Sequence, residues 1–195
     1  STLGLAAMGF IRDGCHVAAG SITFDGIELT SASEHARRQL RATRIAYVAQ
    51  SAAASFNPAR MLLEQSIENA VVYGGASSAQ ATADAIALYR QLQLPDPQQI
   101  GFRYPHQVSG GQLQRVMTVM AMVAKPDLIV FDEPTTALDV TTQIEVLSAI
   151  RNAVQSIGTA AIYISHDLAL VAQMADRIMV LRHGDLVEEA DTRSM

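Results

Sequence analysis

Apolar and polar residues alternate across residues 20–29 around an Asp25-Gly26 pair, the pattern of two short strands joined by a tight turn. Residues 44–48 (RIAYV) read as a short buried strand ending at Gln50. The texture then changes. Residues 61–72 and 79–92 are Ala-rich and helical in spacing, and they are joined by Gly74-Gly75 and by the stretch holding Pro95 and Pro97. Further on, Leu113, Val116, Met117, Val119, Met120 and Val123 leave little polar face, which predicts a helix buried on most sides, its methionines used for packing. Lys125-Pro126-Asp127 breaks that helix, and residues 128–131 form a continuous apolar strand. Ile144, Leu147, Ile150, Val154 and Ile157 mark one stripe of a long amphipathic helix. An apolar strand over 160–164, a helix over 167–175 and a hairpin of 177–181 with 185–189 about His183-Gly184 complete the pattern.

Strand and helix in alternation predict an α/β fold with a mainly parallel sheet, helical crossovers and an antiparallel β edge. The change of texture divides the chain into an α/β core, residues 1–50 and 113–195, and a helical insert, residues 51–112. Composition adjusts this picture modestly. Almost half of the 195 residues are hydrophobic, yet aromatics are 5% and Trp is absent. One domain of that length can bury a sizeable core, here of Ala, Val, Ile, Leu and Met, as in helix-covered parallel sheets. The net charge of −5 offers no general attraction to nucleic acid, and no nucleic-acid partner is expected. Cys15 stands alone, which excludes an internal disulfide and a cysteine-built metal site and fits a reducing compartment. No apolar run approaches the roughly 18 residues that span a bilayer, and the opening residues have neither a basic segment nor Met. A start without Met inside a helical pattern leads us to expect a chain shortened at that end.

Ligands of open parallel sheets gather at the carboxyl ends of the strands. Three such ends carry polar residues here: Gln50, Asp132-Glu133 and His166. The acidic pair follows four apolar residues and would be costly there unless it met solvent, a metal or a donor. Successive strand side chains face opposite ways, so the two acids are expected to do different work. One can hold a hard cation such as Mg²⁺, while the other can orient or deprotonate a water attacking a phosphate. The alternative is an acidic capping turn on the surface. Ser109, Gly110, Gly111 and Gln112 precede the buried helix; Ser109 can cap it, and the glycines leave amide N–H groups open to a phosphate. His16, His35, His106 and His183 have no comparable setting.

Together these stretches carry a resemblance. VSGGQ (residues 108–112) resembles the signature of ABC-type ATPases, and LIVFDEP (residues 128–134) resembles their Walker B strand with its catalytic glutamate. Ala137-Leu138-Asp139 matches the D-loop, Gln50 the Q-loop glutamine, and His166, after IYIS, the switch histidine. The five occur in the family's order and spacing over almost the whole chain, which is thereby similar to an ABC nucleotide-binding domain. The resemblance implies a P-loop NTPase (RecA-like) fold, with the insert as a helical subdomain carrying the signature. It also implies ATP and Mg²⁺ as ligands: Asp132 would hold Mg²⁺, Glu133 would be the general base, and Gln50 would sense Mg²⁺ and the γ-phosphate. His166 would contact the γ-phosphate. In the family the signature closes over nucleotide held by the opposite subunit, so Ser109 to Gln112 would serve a partner's ATP, with Asp139 at the seam of a head-to-tail homo- or heterodimer.

Family members grip phosphates with G-x-x-x-x-G-K-[ST]. The single lysine here, Lys125, lies between Ala124 and Pro126 and cannot be that residue. Ser1 and Thr2 fit the positions after the loop lysine, Ser1 as a Mg²⁺-ligating hydroxyl and Thr2 as the next phosphate contact. On that reading the 195 residues alone should have little or no ATPase activity.

Three fragments, Ser55-Phe56-Asn57-Pro58, Tyr104-Pro105-His106 and EPTTALDVT (residues 133–141), resemble the oligopeptide, dipeptide and nickel importer branch. Val108 departs from the commoner Leu, and the chain ends at Met195, where that branch carries a C-terminal extension. The branch implies a motor on the cytoplasmic face of the cell membrane, working with permease subunits and, through them, a solute-binding protein that handles peptides or a related small solute. Two other readings stay open: an ABC ATPase acting on DNA or ribosomes, and one serving a metabolic complex such as phosphonate breakdown.

Overall fold

The computed structural model describes residues 2–135 and 140–192. Ser1 and Asp139, two of the expected site residues, lie outside the described residues. The chain enters as a short helix, α1 (Thr2–Ala7), then forms a hairpin of β1 (Thr23–Phe24) and β2 (Ile27–Glu28). Asp25 and Gly26 turn it with φ of 48° and 77°, the paired positive angles that make Asp-Gly a favoured hairpin turn. Ser33 caps α2 (Glu34–Thr43) by accepting from the Ala36 amide, and β3 (Ile45–Val48) follows.

Helices alone fill the long excursion before the next strand: a 3₁₀ turn at Ala52–Ala54, α3 (Leu62–Val72), α4 (Ser78–Gln91), two further 3₁₀ turns and then α5 (Gly110–Met122). Leu113, Val116, Met117, Val119 and Val123 are buried and press α5 into the core, as their spacing predicts; Met120 is only partly covered, and Met122 is buried in addition. Arg115 anchors α5 sideways, donating from Nη1 to the carbonyls of Leu92 (3.3 Å) and Gln93 (2.8 Å) at the end of α4.

The centre is a three-stranded parallel sheet in the order β3, β4 (Leu128–Asp132), β5 (Ala160–Ile164). Helix α6 (Val140–Ile157) makes the crossover from β4 to β5. Helix α7 (Leu168–Met174) then leads to an antiparallel pair, β6 (Arg177–Arg182) and β7 (Asp185–Asp191), turned at His183 and Gly184. Among the described residues this pair and the β1–β2 hairpin are two-stranded ladders of their own.

The two faces of the sheet pack differently. Val48, Ile129 and Phe131 join the larger core with the helices of the excursion and α6, and Phe131 stacks on Tyr163 with ring centroids 4.8 Å apart. Ile45 and Val130 face the other way, into a smaller core with Met8, Leu29 and Leu40, flanked by Tyr47, Leu128 and Ile164. Helix α1 lies close to this face because Gly4 has no side chain. A Cβ there would stand 2.6 Å from Ile164 Cδ1 and 3.1 Å from Val130 Cγ1.

One expectation shifts. Ile144 is 43% exposed, whereas Val146, Leu147, Ala149, Ile150, Ala153 and Val154 form the buried face of α6. The alanines let the helix sit close, so its contact face lies to one side of the stripe drawn by the large residues. Among the described residues no helix is long and apolar enough to cross a membrane.

Candidate functional site

The three polar strand ends do meet. Gln50 lies two residues beyond β3, Asp132 ends β4, and His166 lies two residues beyond β5. Parallel pairing of Val48 with Phe131, and of Asp132 with Ile164, puts these ends at one edge of the sheet. There the Gln50 amide Nε2 donates to Glu133 Oε2 at 2.9 Å, and His166 Nδ1 lies 3.2 Å from Glu133 Oε1. A single carboxylate thus joins groups supplied by the ends of the two outer strands.

Glu133 reaches this place through its backbone. Simple strand alternation would continue through Glu133, but β4 ends at Asp132 and Glu133 takes φ of +50°. This left-handed conformation is uncommon for a residue other than glycine and is a kind of strain that gathers at functional sites. Its amide N–H donates to the Ile164 carbonyl at 2.9 Å, which fixes the turn to the end of β5. The two acids therefore part by a backbone turn, not by pleat alone.

The loop bearing His166 is also held locally. Ser165 Oγ accepts from the Asp167 amide at 3.1 Å, and Asp167 caps α7 by accepting from the amides of Ala169 and Leu170. The His166 side chain itself is 77% exposed and open to a ligand.

Asp132 is 5% exposed. A buried carboxylate requires donors, and Tyr47 Oη supplies one at 2.6 Å to Oδ2. Burial first, and then the Asp132 carboxylate, pushes the Tyr47 phenol above its ordinary range, so it stays a proton donor. In the sequence Tyr47 is one more residue of an apolar strand. The available signal was that a buried tyrosine hydroxyl usually needs a partner.

The signature stretch forms a reciprocal cap. Ser109 Oγ accepts from the Gln112 amide at 3.3 Å, and Gln112 Oε1 accepts from the Ser109 amide at 3.0 Å. Because Oγ is the acceptor in that bond, its own proton is left to donate. The cap uses the amides of Ser109 and Gln112, while Gly110 and Gly111 present theirs at the first turn, where helix N–H groups favour anions. Two residues on, buried Gln114 donates from Nε2 to the Ala49 carbonyl at 3.0 Å, tying α5 to the residue before Gln50. Nothing in the sequence marked that link. Thr2 is exposed at the start of α1.

Among the described residues no group of three or more His, Cys, Asp or Glu could hold a metal ion. The donor set suits a cation of the Mg²⁺ kind, which needs one or two protein oxygens and takes its remaining ligands from phosphate and water. Asp132 offers a buried carboxylate, and Gln50, with its Nε2 turned to Glu133, has an amide oxygen of the right hardness.

Comparison with known proteins places the chain in a family and a fold. A family model described as ABC transporter matches residues 1–136. The chain is 37% identical over 176 residues to the probable peptide ABC transporter ATP-binding protein y4tR of Sinorhizobium fredii, covering 90% of this chain and 52% of that protein. It is 39% identical over 176 residues to the metal-staphylopine import system ATP-binding protein CntD of Staphylococcus aureus, covering 90% and 65%. Against the dipeptide transport ATP-binding protein DppD of Escherichia coli, identity is 38% over 195 residues, covering 100% and 60%. The chain thus spans between about half and two thirds of the length of these relatives. In fold it is similar to a dimeric ATP-binding cassette, MJ0796, with a TM-score of 0.82, 23% identity and coverage of 98% of this chain and 79% of that one. A post-hydrolysis state of the same cassette bound to ADP and Pi gives 0.80 at 22% identity. The strand-end cluster and the capped glycine pair thus sit on a P-loop NTPase fold, and the chain belongs to the ABC transporter family.

Proposed function

We propose that this chain is the ATP-binding and ATP-hydrolysing part of an ABC importer for peptides or a related small solute. The observation that carries the reading is Glu133, held between Gln50 and His166 at the end of β4. A general base for water attack on a phosphate needs this kind of orientation, and its partners come from strands on either side. The names of the relatives, which specify a probable peptide transporter, dipeptide transport and a metal-staphylopine import system, support the substrate class.

In the proposed chemistry Glu133 takes the proton of the attacking water. Gln50 and His166 orient its carboxylate, and His166, being exposed, can turn to the γ-phosphate. Asp132 and Gln50, with Ser1 before α1, are the groups proposed to hold Mg²⁺, and Thr2 is proposed as a further phosphate contact. The metal, when bound, neutralises charge on the β- and γ-phosphates. Ser109, Gly110, Gly111 and Gln112 are proposed to face the nucleotide of a second, head-to-tail subunit, with Asp139 at the seam. The Ser109 proton and the first-turn amides supply the donors.

We assign residues 1–50 and 113–195 to the α/β core and residues 51–112 to a helical subdomain. The permease partners, the solute-binding protein acting through them and a peripheral position on the cytoplasmic face of the membrane follow from the same reading. The one lysine, Lys125, lies 2.9 Å from the Asp84 carboxylate on α4, away from the cluster. The 195 residues by themselves are therefore read as incompetent in hydrolysis.

Replacing Glu133 by Gln in the full-length protein tests the assignment. ATP binding should persist while hydrolysis drops by about two to four orders of magnitude, the usual contribution of a general base. Hydrolysis at the unmodified rate would remove Glu133 from this role.

A further inference from the structure

We infer that Tyr47 is a positioning residue for Asp132, fixing the orientation of that carboxylate at the end of β4 through its phenol proton. The inference rests on the Mg²⁺–ATP reading above and adds a residue to it.

The sheet register creates the contact. Tyr47 pairs with Val130, so its side chain leaves the sheet on the same face as Val130, and Asp132 comes next on that face. The ring extends along the strand direction until Oη meets Oδ2 at 2.6 Å, within the range of about 2.5–2.7 Å that charge-assisted O–H···O⁻ bonds take. The ring is half-buried against the smaller core, and Gly4 of α1 lies beside it, where a Cβ would stand 3.8 Å from Tyr47 Cε2, at ordinary contact distance.

An apolar ring would satisfy that packing equally well. The hydroxyl adds nothing to the core, and what it touches is a buried carboxylate at the strand end where the cation is proposed to bind. A donor on one oxygen sets the plane of the carboxylate and draws off part of its charge, as partners of metal ligands do elsewhere. Loss of such a partner lowers metal affinity by about 10- to 100-fold.

The test is Tyr47→Phe in the full-length protein, which keeps the ring and removes the donor. Mn²⁺, a paramagnetic stand-in for Mg²⁺, is titrated in the presence of a non-hydrolysable ATP analogue, and free Mn²⁺ is read by electron paramagnetic resonance. Binding of the analogue without metal is measured in parallel. The expected result is an Mn²⁺ dissociation constant raised about tenfold or more, with metal-free analogue binding changed less than about twofold. An unchanged Mn²⁺ constant in a folded variant overturns the inference while leaving the ATPase reading intact. Failure of the unmodified protein to bind Mn²⁺ with the analogue overturns both. Should Phe at this position not fold, Tyr47→Met, an unbranched side chain without a donor, is judged by the same two constants.

Discussion

At the residue scale the informative groups are polar atoms without access to water, because their bonds must be arranged within the chain. In the helical region Ser66 Oγ donates to the Leu62 carbonyl at 2.8 Å. That uses its single proton, so the Tyr89 hydroxyl, 2.9 Å away, must be the donor to Ser66. Both side chains are essentially fully buried, and burial pushes the Tyr89 phenol up to about 12. The relay predicts an asymmetry. Ser66→Ala strands a buried hydroxyl and should cost about 1–3 kcal/mol, whereas Tyr89→Phe leaves Ser66 bonded to Leu62 and should cost about 1 kcal/mol or less. Urea denaturation of the two variants measures this, and equal losses would show that the relay does not run in this direction. Residues of this kind also mark how far sequence reading reaches. Gln50, Glu133 and His166 were legible because polar groups at the ends of apolar strands are conspicuous. Tyr47 and Gln114 were not, since their partners, Asp132 and the Ala49 carbonyl, are fixed by strand register and helix placement.

At the scale of elements, turn chemistry read well. Asp25-Gly26 and His183-Gly184 both form hairpins, and the helix after Ser109 starts where its cap residue stands. The face of α6 read less well, because periodicity weights large side chains while the actual contact runs through Ala149 and Ala153. The cap of α5 carries a prediction that separates structure from chemistry. Ser109→Ala removes the acceptor for the Gln112 amide and should destabilise the protein by about 1 kcal/mol, whereas Asp, an equally good cap with no proton to donate, should hold stability near that of the unmodified chain. If the Ser109 proton serves a phosphate, both variants should lose nucleotide-driven dimerisation alike. The denaturation midpoint and the sedimentation profile with ATP give the two readouts. A Ser109→Asp protein that still dimerises normally would confine Ser109 to capping.

At the scale of the whole molecule the sequence foretold the parallel sheet and its crossovers, but not which strand edges stay open. That depends on which strands lie side by side, and no local pattern records it. Among the described residues β5 pairs with β4 alone, and Ile162 near its middle is substantially exposed. The β6–β7 ladder presents Met179, Leu181, Leu186 and Val187 to solvent, with Leu181 and Leu186 directly opposite one another. An open strand edge offers unpaired backbone groups, and an apolar sheet face beside it removes the usual barrier to association. The 195-residue polypeptide studied alone should therefore self-associate as its concentration rises. Sedimentation velocity across a hundredfold range of concentration should show the average mass climbing above the 20.9 kDa monomer. Replacing Met179 with Glu and Leu181 with Lys puts opposite charges two residues apart on the exposed side of β6 and leaves buried Ile178 untouched. That double variant should stay monomeric at concentrations where the parent associates. A parent that remains monomeric throughout would mean that these apolar groups are better shielded than their exposure indicates. An unchanged association of the double variant would instead place the contact elsewhere, with the edge of β5 the next surface to alter.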